Sequence, residues 1–128
     1  MTIKMAAALL GTATLAGSAN AQNFLLSENS KRLAQGYLSC VNEEAVRLNG
    51  AGEPVSETVE LAKTACERFE TPIAIAIMQD VNTEMPKSGG EARLNVAQKL
   101  RESVYEQVTE AARLKLARVR SEIPNAKN

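Results

Sequence analysis

Residues 36–66 read GYLSCVNEEAVRLNGAGEPVSETVELAKTAC and contain both cysteines of the chain, one on each side of a turn signal. Apolar side chains recur at steps of three and four residues before and after that signal, as they do along one face of a helix. Glycine just past a helix end and proline in the first helical turn are common at such boundaries. The stretch therefore predicts two helices that fold back on each other between Gly50 and Pro54.

The limits of these two helices follow from capping and helix-breaking residues. We expect the first helix to begin near Ser27 or Ser30, because either side chain could cap it, and to end at Asn49. We expect the second helix to begin at Pro54 and to end at Pro72, since the residue before a proline is pushed out of the helical conformation.

The two cysteines are predicted to form a disulfide. In an antiparallel hairpin that turns near Gly52, Cys40 and Cys66 lie roughly 18 and 21 Å from the turn, at about 1.5 Å per residue, so they are almost level. Both also belong to the apolar faces that must meet. Reactive thiols and a metal site are the alternatives, but the chain has no histidine and no CxxC pair to support either.

PIAIAIMQDV, residues 72–81, is ambiguous in sequence. Its alternation of isoleucine and alanine has the period of a strand, yet no second strand-like segment exists to pair with it. We favour a short helix capped by Thr71, with Pro72 at its first position. Because this helix is apolar nearly all round, we expect it to be buried or to contact a partner.

Residues 91–123 contain no glycine or proline and carry apolar side chains at helical spacing, which predicts one long helix closed by Pro124. Its length would be roughly 50 Å, against roughly 30 and 24 Å for the first two helices. We therefore expect the long helix either to break or to project beyond the others. The predicted fold class is all-α: a disulfide-stapled antiparallel helical hairpin, a short apolar helix and a long C-terminal amphipathic helix in a small bundle.

The N-terminus has the layout of a cleavable signal peptide. Lys4 precedes an apolar run from Met5 to Ala16, and Ala19-Asn20-Ala21 follows as a cleavage signal. The run is about 12 residues, which is too short to span a bilayer as a helix. We expect residues 1–21 to be removed and residues 22–128 to form a single domain, frayed after residue 124, in the periplasm or otherwise secreted.

Composition argues against several classes of function. The chain has 15 basic and 15 acidic residues, and cleavage removes only Lys4 from this balance, so net charge gives no reason to bind nucleic acid. With no histidine, the commonest general base and metal ligand is missing. The glutamate pairs Glu43-Glu44, Glu57 with Glu60 and Glu67 with Glu70 fall on polar helix faces, where carboxylates are solvated. We expect no catalysis and no cofactor.

A protein partner, or self-association, is the expected mode of action. ARLKLARVR, residues 112–120, interleaves basic and apolar side chains at the end of the long helix that we expect to project. Two rival functions stay open: a redox accessory or enzyme that uses Cys40 and Cys66, and contact with a membrane surface through the basic helix. The predicted partner surface comprises Ile73, Ile75, Ile77, Met78, Arg113, Leu114, Lys115, Leu116, Arg118, Val119, Arg120 and Ile123.

The hairpin resembles a pattern in small uncharacterised exported proteins of proteobacteria. The resemblance covers roughly residues 33–70 and rests on Tyr37, Cys40, the turn from Gly50 to Pro54, and Cys66. The chain is more distantly similar to small helical periplasmic immunity proteins, which also use disulfides. The resemblance implies an extracytoplasmic compartment and an all-helical fold, and it implies no activity.

Overall fold

The computed structural model describes residues 26–122, and in this range the chain is helical with no strand. The four α-helices are α1 (Glu28–Arg47), α2 (Val55–Ala65), α3 (Glu70–Glu84) and α4 (Gly90–Glu122), with short 3₁₀ helices at Leu48–Ala51 and Glu67–Phe69. The predicted all-α bundle is confirmed. The predicted signal peptide, Ile123 and the predicted frayed tail lie outside the described residues.

The four helices pack side by side as three rods, here called arms. Helix α1 is the first arm, α2 and α3 together are the second, and α4 is the third. Asp80 of α3 accepts hydrogen bonds at the start of α1, and Cys66 at the end of α2 is joined to Cys40, so α2 and α3 together run antiparallel to α1. Tyr105 of α4 donates to the carbonyl oxygen of Glu70, and Arg120 bonds to the α1–α2 turn. Thus α4 runs antiparallel to the second arm and parallel to α1.

This arrangement removes the predicted mismatch of helix lengths. Helix α4 is continuous over 33 residues. Helices α2 and α3 lie end to end over residues 55–84, so at about 1.5 Å per residue they form a bent arm nearly as long as α4. The prediction that the long helix breaks or projects is wrong, because Ala112 and Leu116 near its end are fully buried.

The start of α1 is fixed by a cap and by a contact to α3. Ser27 is the N-cap residue, and its hydroxyl accepts a hydrogen bond from the Ser30 N–H. Ser30, the other predicted cap, is instead buried, and its hydroxyl donates to the Asp80 carboxylate over 2.6 Å. The Ser27 N–H donates to the same carboxylate over 3.1 Å. A carboxylate at a helix N-terminus also favours the helix dipole.

The α1–α2 turn follows the sequence signal with one shift. Helix α1 ends at Arg47 rather than Asn49, and a 3₁₀ helix continues the chain to Ala51. Gly52 has a φ of 87°, the left-handed conformation in which a side chain would be strained. Pro54 immediately precedes the first residue of α2.

The bend between α2 and α3 lies earlier in the chain than predicted. Helix α2 ends at Ala65, whereas the sequence predicted an end at Pro72. The third helix, predicted in place of a strand, is confirmed, but it begins at Glu70, so Pro72 sits in its first turn and Thr71 is no cap. The first four N–H groups of a helix have no partner within it, so proline costs little there.

The core combines small and branched side chains from every arm. Burying one valine, leucine or isoleucine side chain stabilises the fold by roughly 1.5–3 kcal/mol. The large residues that are almost fully buried are Tyr37 and Val41 from α1, Val59 from α2, Ile73, Ile77 and Val81 from α3, and Leu100, Val108 and Leu116 from α4.

A close approach of α1 to the bend requires glycine at position 36. A Cβ atom added to Gly36 would lie 2.8 Å from Cε1 of Phe69, closer than two carbon atoms can pack. The Phe69 ring would have to shift to make room for this atom, and the shift would disturb its packing against Tyr37, whose ring centroid lies 6.1 Å away. The side chain of Phe69 therefore takes the place of a side chain on α1.

We expect Gly36→Ala to lower the free energy of unfolding by about 1–3 kcal/mol, the usual cost of overpacking, even though alanine favours a helix over glycine. Urea unfolding measures the change. Gly90→Ala is the matched control, since a Cβ at Gly90 meets nothing within 4 Å. Equal effects of the two substitutions would contradict the tight contact.

Candidate functional site: the outer faces of α2 and α4

The predicted disulfide between Cys40 and Cys66 is present, with the two Cα atoms 6.0 Å apart. It joins the middle of α1 to the residue that ends α2, and Cys66 is fully buried. Closing a loop with a sequence separation of 26 stabilises a fold by about 3–4 kcal/mol in the chain-entropy picture. The disulfide therefore holds the bend of the second arm against α1.

Three aromatic rings surround the same bend. Tyr37 lies between Phe69 and Tyr105, with its ring centroid 5.8 Å from that of Tyr105 in an edge-to-face arrangement. Burial raises the pKa of Tyr37 to about 12, and the nearby carboxylate of Glu70 contributes to the rise. Burial and Glu70 also raise the pKa of Tyr105. Both shifts thus come first from the burial of the two rings around the bend and then from the negative charge of Glu70 beside them.

These shifts make stability fall at high pH. An unfolded tyrosine ionises near its ordinary pKa of about 10, whereas folded Tyr37 keeps its proton until about 12. Above pH 10 the folded state binds more protons than the unfolded state, so the stabilisation that is complete below pH 10 is lost as pH rises toward 12. At about 1.4 kcal/mol per pKa unit, we expect Tyr37 to account for a loss of about 2–3 kcal/mol.

Urea unfolding at about pH 9 and about pH 11 brackets the ordinary tyrosine pKa, and we expect it to show about half of this loss, roughly 1–1.5 kcal/mol, because the remainder appears only as pH rises through the folded pKa. Tyr37→Phe keeps the ring and removes the ionisable hydroxyl, so its stability should depend less on pH over this interval. An unchanged pH dependence in Tyr37→Phe would show that another group is responsible.

The predicted partner surface divides between core and exterior. Ile73, Ile77 and Leu116 are almost fully buried in the protein's own core, so their side chains face no partner in the folded chain. Met78, Lys115 and Val119 are half-buried. Ile75 and Leu114 are 53% and 52% exposed. Arg113 and Arg118 are also exposed, which leaves these four residues of the prediction at the surface.

Arg120 is engaged within the fold rather than presented to a partner. Its Nε donates to Oδ1 of Asn49 over 2.5 Å, and one of its terminal nitrogens donates to the Glu53 carbonyl oxygen over 2.9 Å. The same nitrogen lies 3.4 Å from the hydroxyl of Thr58, which is fully buried. Arg120 therefore ties the end of α4 to the turn between α1 and α2.

The outer side of α2 has a surface that the sequence analysis missed. Leu61 is 50% exposed and lies beside a shallow depression of about 430 Å³. This surface, the α2 face, comprises Glu53, Ser56, Glu57, Glu60, Leu61 and Thr64. The sequence does contain a sign of this surface. Leu61 is apolar but lies off the apolar stripe formed by Val55, Val59 and Ala62, so it is expected to face away from the core.

The last turns of α4 present an outer surface of opposite charge. Leu114 lies between exposed Arg113 and Arg118. This surface, the α4 face, comprises Arg113, Leu114, Ala117, Arg118 and Ser121, all of them exposed. Residues 111–120 contain four basic residues and no acidic one, whereas residues 43–70 contain seven acidic and three basic residues. Opposite charges are thus separated along a chain that is neutral overall.

The ion pairs recorded for the described part of the chain all join residues three positions apart on one helix. Glu60 pairs with Lys63, and Arg113 pairs with Glu110. Glu57 and Arg118 take part in none of these pairs. Each therefore remains an exposed charge without an opposite charge within 4.0 Å among the described residues.

A second open groove lies between α2 and α4. It has a volume of about 540 Å³ and brings Lys63 of α2 close to Tyr105, Glu110 and Arg113 of α4. Both cations on this groove are already paired with glutamates of their own helices. Between residues 26 and 122, no group of three or more cysteine, aspartate or glutamate side chains is arranged to hold a metal ion.

None of the described helices has the length and apolar character needed to cross a membrane. No family model, curated protein or solved structure matches the chain. The resemblance of residues 33–70 to small exported proteins therefore stays a prediction.

Proposed function

We propose that this protein is a noncatalytic exported protein that acts by binding another protein chain through its outer helix faces. The observation that carries this proposal is the presence of exposed leucines with unpaired charges beside them on α2 and α4. Charges placed beside an apolar contact steer association and set its register, so each of these faces is suited to bind a surface of complementary charge. The bundle behind them is held by a disulfide, so the faces are presented without further ordering.

Export is supported by the disulfide together with the leader-like N-terminus. Disulfides form and persist in oxidising compartments outside the cytoplasm. The pairing of Cys40 with Cys66 fits such a compartment, and residues 1–21 have the three-part layout of a cleavable signal.

The burial of Cys66 favours a structural disulfide over the redox rival. A redox accessory must expose a thiol for exchange, and access of a thiolate to the sulfur governs the rate of that exchange. Cys66 is fully buried, and Cys40 is half-buried. The membrane rival would use the basic end of the long helix, residues 112–123, where Leu114 is the one exposed large apolar side chain among the described residues.

We expect the protein isolated from the extracytoplasmic fraction of its host to begin at Gln22 and to contain no free thiol. N-terminal sequencing and intact mass after alkylation, with and without prior reduction, measure both properties. An intact leader, or two alkylated cysteines without reduction, would contradict the export proposal and revive the thiol-based rival.

We expect a photo-crosslinking residue placed at Leu61 or Leu114 to join the protein to a defined second chain in its native compartment. Mass spectrometry of the product identifies that chain. Leu94 is the matched control, because it is 61% exposed but belongs to neither face. The same products from all three positions, or no product from any, would count against binding through these faces.

A further inference from the structure

We infer that the partner is a second copy of this chain, and that the α2 face of one copy binds the α4 face of another. This inference rests on the proposed function and specifies its partner. In the contact, Leu61 packs against Leu114, and Glu57 lies opposite Arg118.

A second copy is a suitable partner because each chain carries one acidic face and one basic face. The α2 face is acidic around Leu61, and the α4 face is basic around Leu114. Complementary charges on opposing faces steer association and set the register of the contact. The whole chain carries no net charge at pH 7, and loss of Lys4 with the leader changes this balance by only one charge, so overall repulsion between two copies is weak. Every copy therefore carries both halves of a complementary pair.

The order of residues along the two helices also selects an orientation. Glu57 lies four residues before Leu61, whereas Arg118 lies four residues after Leu114. If the two helices meet antiparallel with the leucines level, Glu57 and Arg118 are level as well, since residues four apart share one helix face. A parallel contact would instead place Glu57 level with Glu110, which is unfavourable. The antiparallel contact is therefore the one that pairs opposite charges.

The charges that this contact uses are available. Glu57 and Arg118 form none of the ion pairs within single helices, and both side chains are exposed. The tie between α4 and the turn uses Arg120, which lies on the inner side of α4 and is half-buried. The intramolecular packing of α4 and the proposed contact thus use different residues.

The size and symmetry of the contact determine the assembly. One exposed leucine on each side makes a small contact, at the weak end of the range for protein interfaces. Because two different faces meet, each added copy leaves one face of each kind free, so the contact leads to a closed ring or an extending chain. We expect the average mass to rise with concentration, without a fixed dimer end point.

Sedimentation equilibrium of the oxidised, processed chain tests the inference. At low ionic strength we expect the average mass to exceed that of a monomer and to rise with concentration. In about 0.5 M salt we expect it to return to the monomer, because exposed charges are screened at such concentrations. A wild-type protein that is monomeric at low salt and high concentration overturns the inference.

Charge reversal identifies the two faces. Glu57→Arg and Arg118→Glu should each weaken self-association by roughly tenfold or more, since each replaces an attraction by a repulsion. An equimolar mixture of the two variants should associate. The unchanged Glu57 of one variant then lies opposite the unchanged Arg118 of the other, and the arginine introduced at position 57 lies opposite the glutamate introduced at position 118. The double variant should also recover association. If neither the mixture nor the double variant associates, the assigned contact between the α2 face and the α4 face is overturned.

Two controls separate this contact from general effects. Glu91→Arg reverses an exposed glutamate in the first turn of α4, as Glu57→Arg does in the first turn of α2, but it lies outside both faces. Leu94→Gln removes an exposed leucine outside both faces. Both variants should associate like the wild type. A monomeric wild type that still forms crosslinks from Leu61 to a different protein would overturn self-association and retain the proposed function.

Discussion

The disulfide between Cys40 and Cys66 lies at a point where three features of the bundle occur together. At this point α2 ends, the second arm bends, and the ring of Phe69 enters the space above Gly36. Without the bend, α2 and α3 would continue as one straight helix, and Phe69 could not keep its place against α1 while α3 stays packed on α4. The disulfide fixes the position of the bend along α1, and the aromatic rings of Tyr37, Phe69 and Tyr105 fill the volume around it. This region thus fixes α1 against the second arm through the disulfide and against α4 through the ring of Tyr105.

The hairpin and its disulfide were predictable because their signals are local. Apolar spacing identified the helices, Gly52 and Pro54 identified the turn, and counting residues from the turn showed that Cys40 and Cys66 are level. The position of the bend was not predictable in the same way, because Pro72 is compatible both with the end of α2 and with the first turn of α3. Proline is tolerated in the first turn of a helix as well as after its last residue, and only the contacts of Cys66 and Phe69 distinguish the two cases.

The error about the long helix had a different origin. Helix α4 was compared with single helices, although α2 and α3 together form an arm of matching length. Apolar periodicity predicts each helix separately. It does not predict that two successive helices lie end to end, because this depends on tertiary packing. The same error placed Leu116 and Arg120 in the predicted partner surface, whereas one is in the core and the other binds the turn. In contrast, Leu61 could have been found, because it departs from the apolar stripe of α2.

The position of the α1–α2 turn relative to the disulfide has a consequence for degradation. The turn, residues 48–54, lies inside the loop that Cys40 and Cys66 close. A protease that cut the backbone in this turn would therefore not release a fragment, since the two parts stay covalently joined across the helices. Their association would remain intramolecular, and the cut chain would lose only the local constraint of the turn. The α1–α2 turn is thus a connection at which a single cut leaves the chain in one piece until the disulfide is reduced.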